Sequence, residues 1–256
     1  MKKIKGYPQE LGKIYAELLE RIDRNDVPET LRILEWISLA QRPLFVDDLR
    51  FAVCLEDSMV CHSLKDLERS DHWCSSEEAF TACVRDLTQG LVREATIGIE
   101  EDSHPSRQLL KFDHESVREF MLDSGLETLY ARLSSAIPPP SLADLHISLA
   151  GRCLKFVMFD EITHLRKLEQ AIAKKLADED LAAQRYRYRP VPTDPTLVMG
   201  ENVPPPLTFY AAQHWRDHIY HADEDMEVYT NILKLWSHSS RDTDWITGAA
   251  TLATTT

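Results

Sequence analysis

His114 stands where the chain changes its period, in Lys111-Phe112-Asp113-His114-Glu115-Ser116-Val117. Leu109, Leu110 and Phe112 read as the end of a short apolar strand. From Glu115 the spacing turns helical, with Val117, Phe120 and Met121 on one side and Gly125 as the stop. A strand-to-helix corner can project an imidazole out of the local backbone, where it could sense or touch a ligand. The alternative is a turn histidine that bonds a nearby backbone group. Three further sets of residues could hold a metal. Cys61-His62 and His72-x-Cys74 bring four soft ligands into one irregular segment, but at no standard zinc spacing. His214, His218 and His221 recur at four and three residues, so their rings share a helical face; a surface helix with Tyr210 and Trp215 turned inward fits that pattern as well. Glu161-x-x-His164 is half of a di-iron motif without a second copy. No metal, cofactor or catalytic residue is assigned from these sets.

The absent patterns narrow the chemistry. The sequence contains no G-x-x-x-x-G-K-[ST], no G-x-G-x-x-G and no H-E-x-x-H. It therefore lacks the usual phosphate cradles and the zinc-protease pair. It also has no G-x-S-x-G nucleophile elbow. The net charge of -13, from 42 acids against 29 bases, disfavours a phosphate backbone as partner. No apolar run nears the ~20 residues of a membrane span, and the basic first residues are not followed by a signal-peptide core. The five cysteines, Cys54, Cys61, Cys74, Cys83 and Cys153, show no paired spacing. That suits a reducing compartment, so a cytoplasmic location is expected.

Mostly helical elements must position these residues, since Gly is scarce at 8 residues in 256. Over residues 8–24, Leu11, Ile14, Tyr15, Leu18, Leu19 and Ile22 make an apolar stripe. Leu11, Ile14, Leu18 and Ile22 are expected to lie exposed as an interaction surface, and a helix of this kind at the start suggests a chain cut from something longer. A second helix, 29–40, is apolar nearly all round and ends at Arg42-Pro43-Leu44. A third begins near Val46, with Asp47 and Asp48 in its first turn, where the helix dipole favours them. A short helix is expected around Ser63 to Leu67. Ser75 with Glu78 reads as a capping box for the next helix, which Gly90 ends. Strands at 91–96 and 109–112 flank a polar turn. Three helices and a β-hairpin give the order of a winged helix over 28–125. A linker at Ile137-Pro138-Pro139-Pro140 leads to a helical domain over 140–240. Its segments lie at 142–158, 164–184, 207–220 and 226–236, around a loop at 185–206 that holds six of the 13 prolines. A disordered tail is expected at 241–256. The fold class is thus mainly α: a winged helix followed by an α-helical domain.

Three stretches, in order, resemble one family. Ile33-Leu34-Glu35-Trp36-Ile37-Ser38-Leu39-Ala40-Gln41-Arg42-Pro43-Leu44 with Asp48-Leu49-Arg50-Phe51-Ala52-Val53 resembles the opening of the winged helix that follows the NACHT module in fungal NOD-like receptors. Phe112-Asp113-His114-Glu115-Ser116-Val117-Arg118-Glu119-Phe120 looks like its close. Leu207 to His218, with Tyr210-Ala211-Ala212 and Trp215-x-x-His218, resembles the helical region beyond it. The same winged helix is often labelled after GPI inositol-deacylase, but without a serine elbow that activity does not carry over. The resemblance implies that residues 1–27 hold a lid helix from the end of a NACHT module. It also implies that His114 faces the β-phosphate of a nucleotide and holds the resting form. The sequence departs from the pattern in lacking a nucleotide-binding core and repeats, and in placing Phe45 where a Ser or Thr cap is usual. By this resemblance the chain is expected to be a non-enzymatic regulatory fragment in fungal defence or incompatibility signalling. Its partners would be other proteins, or the NACHT and repeat domains, with self-association and no membrane. A different reading is a free-standing winged-helix adaptor that binds another protein or, as the less favoured partner, nucleic acid. If the resemblance holds, His114→Ala is expected to change stability by no more than about 0.5 kcal/mol, as at a surface site.

Overall fold

The computed structural model describes residues 8–56, 61–96, 108–133, 138–163 and 205–222. The expected helices at 164–184 and 226–236, the turn at 100–107, nearly all of the proline-rich loop and the tail lie outside these residues. The described chain is mainly helical with a small three-stranded antiparallel sheet.

Helix α1 (Gln9–Glu20) follows Pro8, and α2 (Val27–Leu39) carries Pro28 in its first turn, where no N–H is needed. Strand β1 (Leu44–Phe45) comes next, then α3 (Val46–Ala52). This strand is not expected from the sequence, because two residues carry no period. It exists through pairing, with Leu44 opposite Leu110 and Phe45 opposite Leu109. Phe45 is the extended residue before α3 and makes no side-chain cap. Helix α4 (Leu64–Leu67) is held by a reciprocal capping box between Ser63 and Asp66. Helix α5 (Glu77–Leu87) is capped by Ser76, whose Oγ accepts the Ala79 N–H. The expected cap, Ser75, is therefore off by one residue. After α5, Gln89 and Gly90 are both left-handed, at φ 52° and 74°, which turns the chain into β2 (Val92–Thr96). Strand β3 (Gln108–Phe112) lies between β1 and β2, with Val92 opposite Phe112.

Helix α6 (Glu115–Phe120) does not stop at Gly125. It passes through a π-helical turn (Met121–Gly125) into α7 (Leu126–Leu133). Gly125 is there for close approach. A Cβ at this position would sit 2.6 Å from Met121 Sδ and 3.0 Å from a Phe120 ring carbon. Helix α8 (Leu142–Val157) starts at a capping box of Ser141 and Asp144, and α9 (Thr208–Ala222) packs along it.

One continuous core joins all these elements. Leu19 enters from α1 and Ile22 from just after it, Trp36 from α2, Phe112 from the sheet, Val117 and Phe120 from α6, Phe156 from α8 and Trp215 from α9. Of the charged residues on α2, Glu35 is the one that is buried. Its carboxylate faces Arg152 of α8 at 3.3 Å and accepts the Tyr130 hydroxyl of α7. This contact ties α8 to the first half of the chain. No helix among the described residues is long and apolar enough to cross a membrane.

Candidate functional site

His114 is exposed at the corner between β3 and α6, while Phe112 and Val117 on either side are buried. Strand alternation and helical spacing put those two side chains inward and leave the imidazole outside. It is also the N-cap of α6. The Ser116 backbone N–H donates to His114 Nδ1 at 3.1 Å, so Nδ1 is an acceptor and the neutral ring carries its proton on Nε2. The Ser116 hydroxyl lies 2.8 Å from Nδ1 and 2.8 Å from the Tyr15 hydroxyl of α1. With Nδ1 accepting, the chain runs from the Tyr15 O–H to Ser116 Oγ, and from the Ser116 O–H to His114. The Nε2–H of the exposed ring is left as a donor.

That donor borders a cleft of about 510 Å³ between the end of α2, the turn at Gln41–Leu44, β3 and the start of α6. Arg42, Lys111 and Arg118 bring positive charge to it, and Asp113 and Glu115 bring negative charge. Arg118 is fixed by donating from Nε to the Ser38 carbonyl at 3.1 Å, near the carbonyl end of α2 where a cation is favoured. Asp113 is drawn aside by Arg93 at 3.1 Å. The cleft can therefore offer N–H donors to an oxyanion, with the imidazole pre-set in the donor tautomer.

The cap role changes the expected cost of removing this side chain. His114→Ala should destabilise the chain by about 1 kcal/mol, the usual loss for a helix cap, rather than within 0.5 kcal/mol as at an uncapped surface site. Urea titration of both proteins checks this. A change too small to resolve would mean that the cap contributes nothing in solution.

The apolar stripe of α1 is not open along its length. Ile22 is 3% exposed, Leu11 and Leu18 are half-buried, and Ile14 alone of the four is open, at 50%. Helix α1 packs on this chain because Tyr15 meets the Phe120 ring at 5.6 Å and Arg132 of α7 donates to the Leu19 and Ile22 carbonyls. The expected exposed surface shrinks to Ile14 and the edges of Leu11 and Leu18.

Three of the four soft ligands are engaged elsewhere. Cys61 Sγ faces the Ser63 carbonyl, Cys74 Sγ the Ser76 carbonyl, and His72 pairs with Glu56 at 3.2 Å. Burial pushes the Cys61 thiol up. Glu161 accepts the Leu64 N–H at 3.2 Å, and His164 lies outside the described residues. Among the described residues, no group of three or more His, Cys, Asp or Glu could hold a metal. The three histidines of α9 do not share one exposed face. His218 is fully buried against His146 of α8, whereas His214 pairs with Asp217 at 2.8 Å.

Sequence reasoning missed His146, Glu35 and the inner role of Asp48. In each case the cue was one polar residue on an apolar helical face. Asp48 Oδ1 accepts the Leu207 N–H at 2.8 Å, and its Oδ2 faces Arg42 at 3.3 Å. Leu207 is buried at φ 68°, a left-handed conformation that costs a branched side chain about 1–2 kcal/mol. Asp48 thus holds the strained start of α9, beside the cleft. No protein-family model, curated protein or solved structure matches this chain.

Proposed function

We propose that this chain is a non-catalytic regulatory and interaction module of the NACHT receptor type, working in the cytoplasm. In this reading residues 28–125 act as its winged helix, α1 as a lid helix and the chain from 140 as the helical domain. Its job is to pack against a nucleotide-binding core and to help hold that core at rest. The winged-helix reading is supported by the order helix, short strand, helices, hairpin, with the last strand at the centre of the sheet. A nucleic-acid role is disfavoured at α5. Glu77, Glu78 and Asp86 outnumber Arg85, which is already paired with Glu94 at 2.7 Å.

The observation that carries the proposal is the exposed His114 ring, held at Nδ1 by Ser116 and Tyr15 behind it, in one cleft with Arg42, Lys111 and Arg118. Such a donor suits a phosphate oxygen presented by a partner domain. A single contact of this kind contributes about 1.5–3 kcal/mol, whereas micromolar affinity needs about 8 kcal/mol. The isolated chain is therefore expected to bind neither ADP nor ATP at micromolar concentrations in calorimetric titration. In a NACHT receptor whose own winged helix is replaced by residues 8–133, ADP should remain bound through gel filtration, and His114→Ala should release it. Micromolar ADP binding by the isolated chain, or equal retention by the two receptors, would count against the proposal.

A further inference from the structure

His146 of α8 and His218 of α9 are 9% and 0% exposed, and their Nδ1 atoms lie 2.9 Å apart. At that distance one proton lies between two ring nitrogens. The rest of the chain sets its place. The Gln41 backbone N–H donates to the Tyr210 hydroxyl at 3.2 Å, and Tyr210 lies 2.9 Å from His218 Nε2. With the Tyr210 O–H donating to Nε2, His218 carries its proton on Nδ1, and that N–H donates to His146. The run from Gln41 to His146 is satisfied with both rings neutral. A further proton disturbs this path: on His146 Nδ1 it would set two N–H donors face to face, and on His218 Nε2 it would claim the Tyr210 oxygen and leave the Tyr210 O–H without an acceptor on the path.

The surroundings add two further imidazoles and two guanidinium charges. His221 stacks on His146 with centroids 5.2 Å apart and its Nδ1 2.6 Å from the Asp217 carbonyl. His214 lies against the Tyr210 ring at 4.9 Å, and Arg42 lies over that ring at 5.3 Å. From α6, the Arg118 charge acts on His146, and from α8, Cys153 lies near Tyr210. Two acids lie at this seam among the described residues: Asp217, half-exposed and paired with His214, and buried Asp48, which faces Arg42. The start of α9 is held at the left-handed Leu207 by Asp48.

We propose that His146 and His218 form a proton-operated latch: protonating the pair opens the seam between α8 and α9 and uncovers the socket formed by Trp36, Gln41 and Asp48. This goes beyond the receptor reading and does not depend on it. Burial and the neighbouring cations lower both imidazoles, His146 to about 4 and His218 to about 3. In an open form both return towards the ordinary value near 6.5. The closed form is then fully favoured above pH ~6.5 and loses its advantage as the pH falls from there towards 4. Two such rings raise the ratio of open to closed chain by several hundred-fold between pH 7.5 and pH 5.

The test is hydrogen exchange on the full chain from pH 7.5 to pH 5, corrected for intrinsic rates, with His146→Asn and His218→Gln as variants. Protection of α9 amides should fall several hundred-fold while α5 amides stay protected, and either variant should about halve the logarithmic slope. Parallel loss in α5 and α9, no loss, or an unchanged slope in both variants would overturn the latch. If a variant does not fold at pH 7.5, nitrogen-15 imidazole spectra of the wild-type chain decide the matter. Protonation of His146 and His218 must accompany the loss of α9 protection, and loss while both rings stay neutral overturns the proposal.

Discussion

Glu35→Ala is expected to destabilise the folded chain by about 3 kcal/mol, with a matching fall in the urea midpoint. Glu35 is 4% exposed, and its carboxylate faces Arg152 of α8 and accepts from Tyr130 of α7. Alanine removes the negative charge but leaves the guanidinium, with its side chain 13% exposed, in a place where desolvation is costly. Breaking a buried pair from one side typically costs about 3–5 kcal/mol, and the lower end applies because Arg152 has other contacts. Glu35→Gln keeps an acceptor for Tyr130 and should cost less than Glu35→Ala. Exposed pairs behave differently: Arg93 with Asp113, at 64% and 49% side-chain exposure, should contribute under ~1 kcal/mol. If Glu35→Ala falls in that same range, α8 is held to α2 by apolar packing alone.

Glu35 also shows what the sequence could and could not reveal. Periodicity made α2, α5, α6 and α8 legible, because apolar spacing is a local signal and these helices bury one face against a shared core. His114 was legible as an outward corner residue for the same reason: the period changes at that point. Partners far apart in the chain left no trace. His146 and His218 are separated by 72 positions, and Glu35 and Arg152 by 117, so no spacing rule joins them. Strand β1 was hidden because Leu44 and Phe45 become a strand only by pairing with Leu110 and Leu109. Gly125 misleads because a glycine near a helix end usually marks a stop, whereas here the absent side chain leaves room for Met121 and Phe120. The stripe on α1 was legible as apolar, but not as covered: Tyr15 and Arg132 fix the helix through groups 101 to 113 positions away.

Asp48→Ala should cost about 2–3 kcal/mol and act first on α9. Position alone gives Asp48 a smaller role, because a carboxylate in the first turn of α3 interacts with the helix dipole for about 0.3–1 kcal/mol. The structure adds a larger one. Asp48 is 7% exposed, and its Oδ1 accepts the N–H of buried Leu207, the residue at φ 68° that begins α9. Removing that acceptor orphans a buried donor, at about 1–3 kcal/mol, and takes one partner from Arg42. The left-handed Leu207 backbone then loses the contact that held it, so α9 should lose hydrogen-exchange protection before α5 does. Asp48→Asn supplies a side-chain oxygen in the same place and should keep most of the stability. If alanine and asparagine cost the same, charge near α3 is what matters, not the bond to Leu207. If alanine costs under ~1 kcal/mol and α9 stays protected, the dipole accounts for Asp48 and the start of α9 is held by its buried side chains.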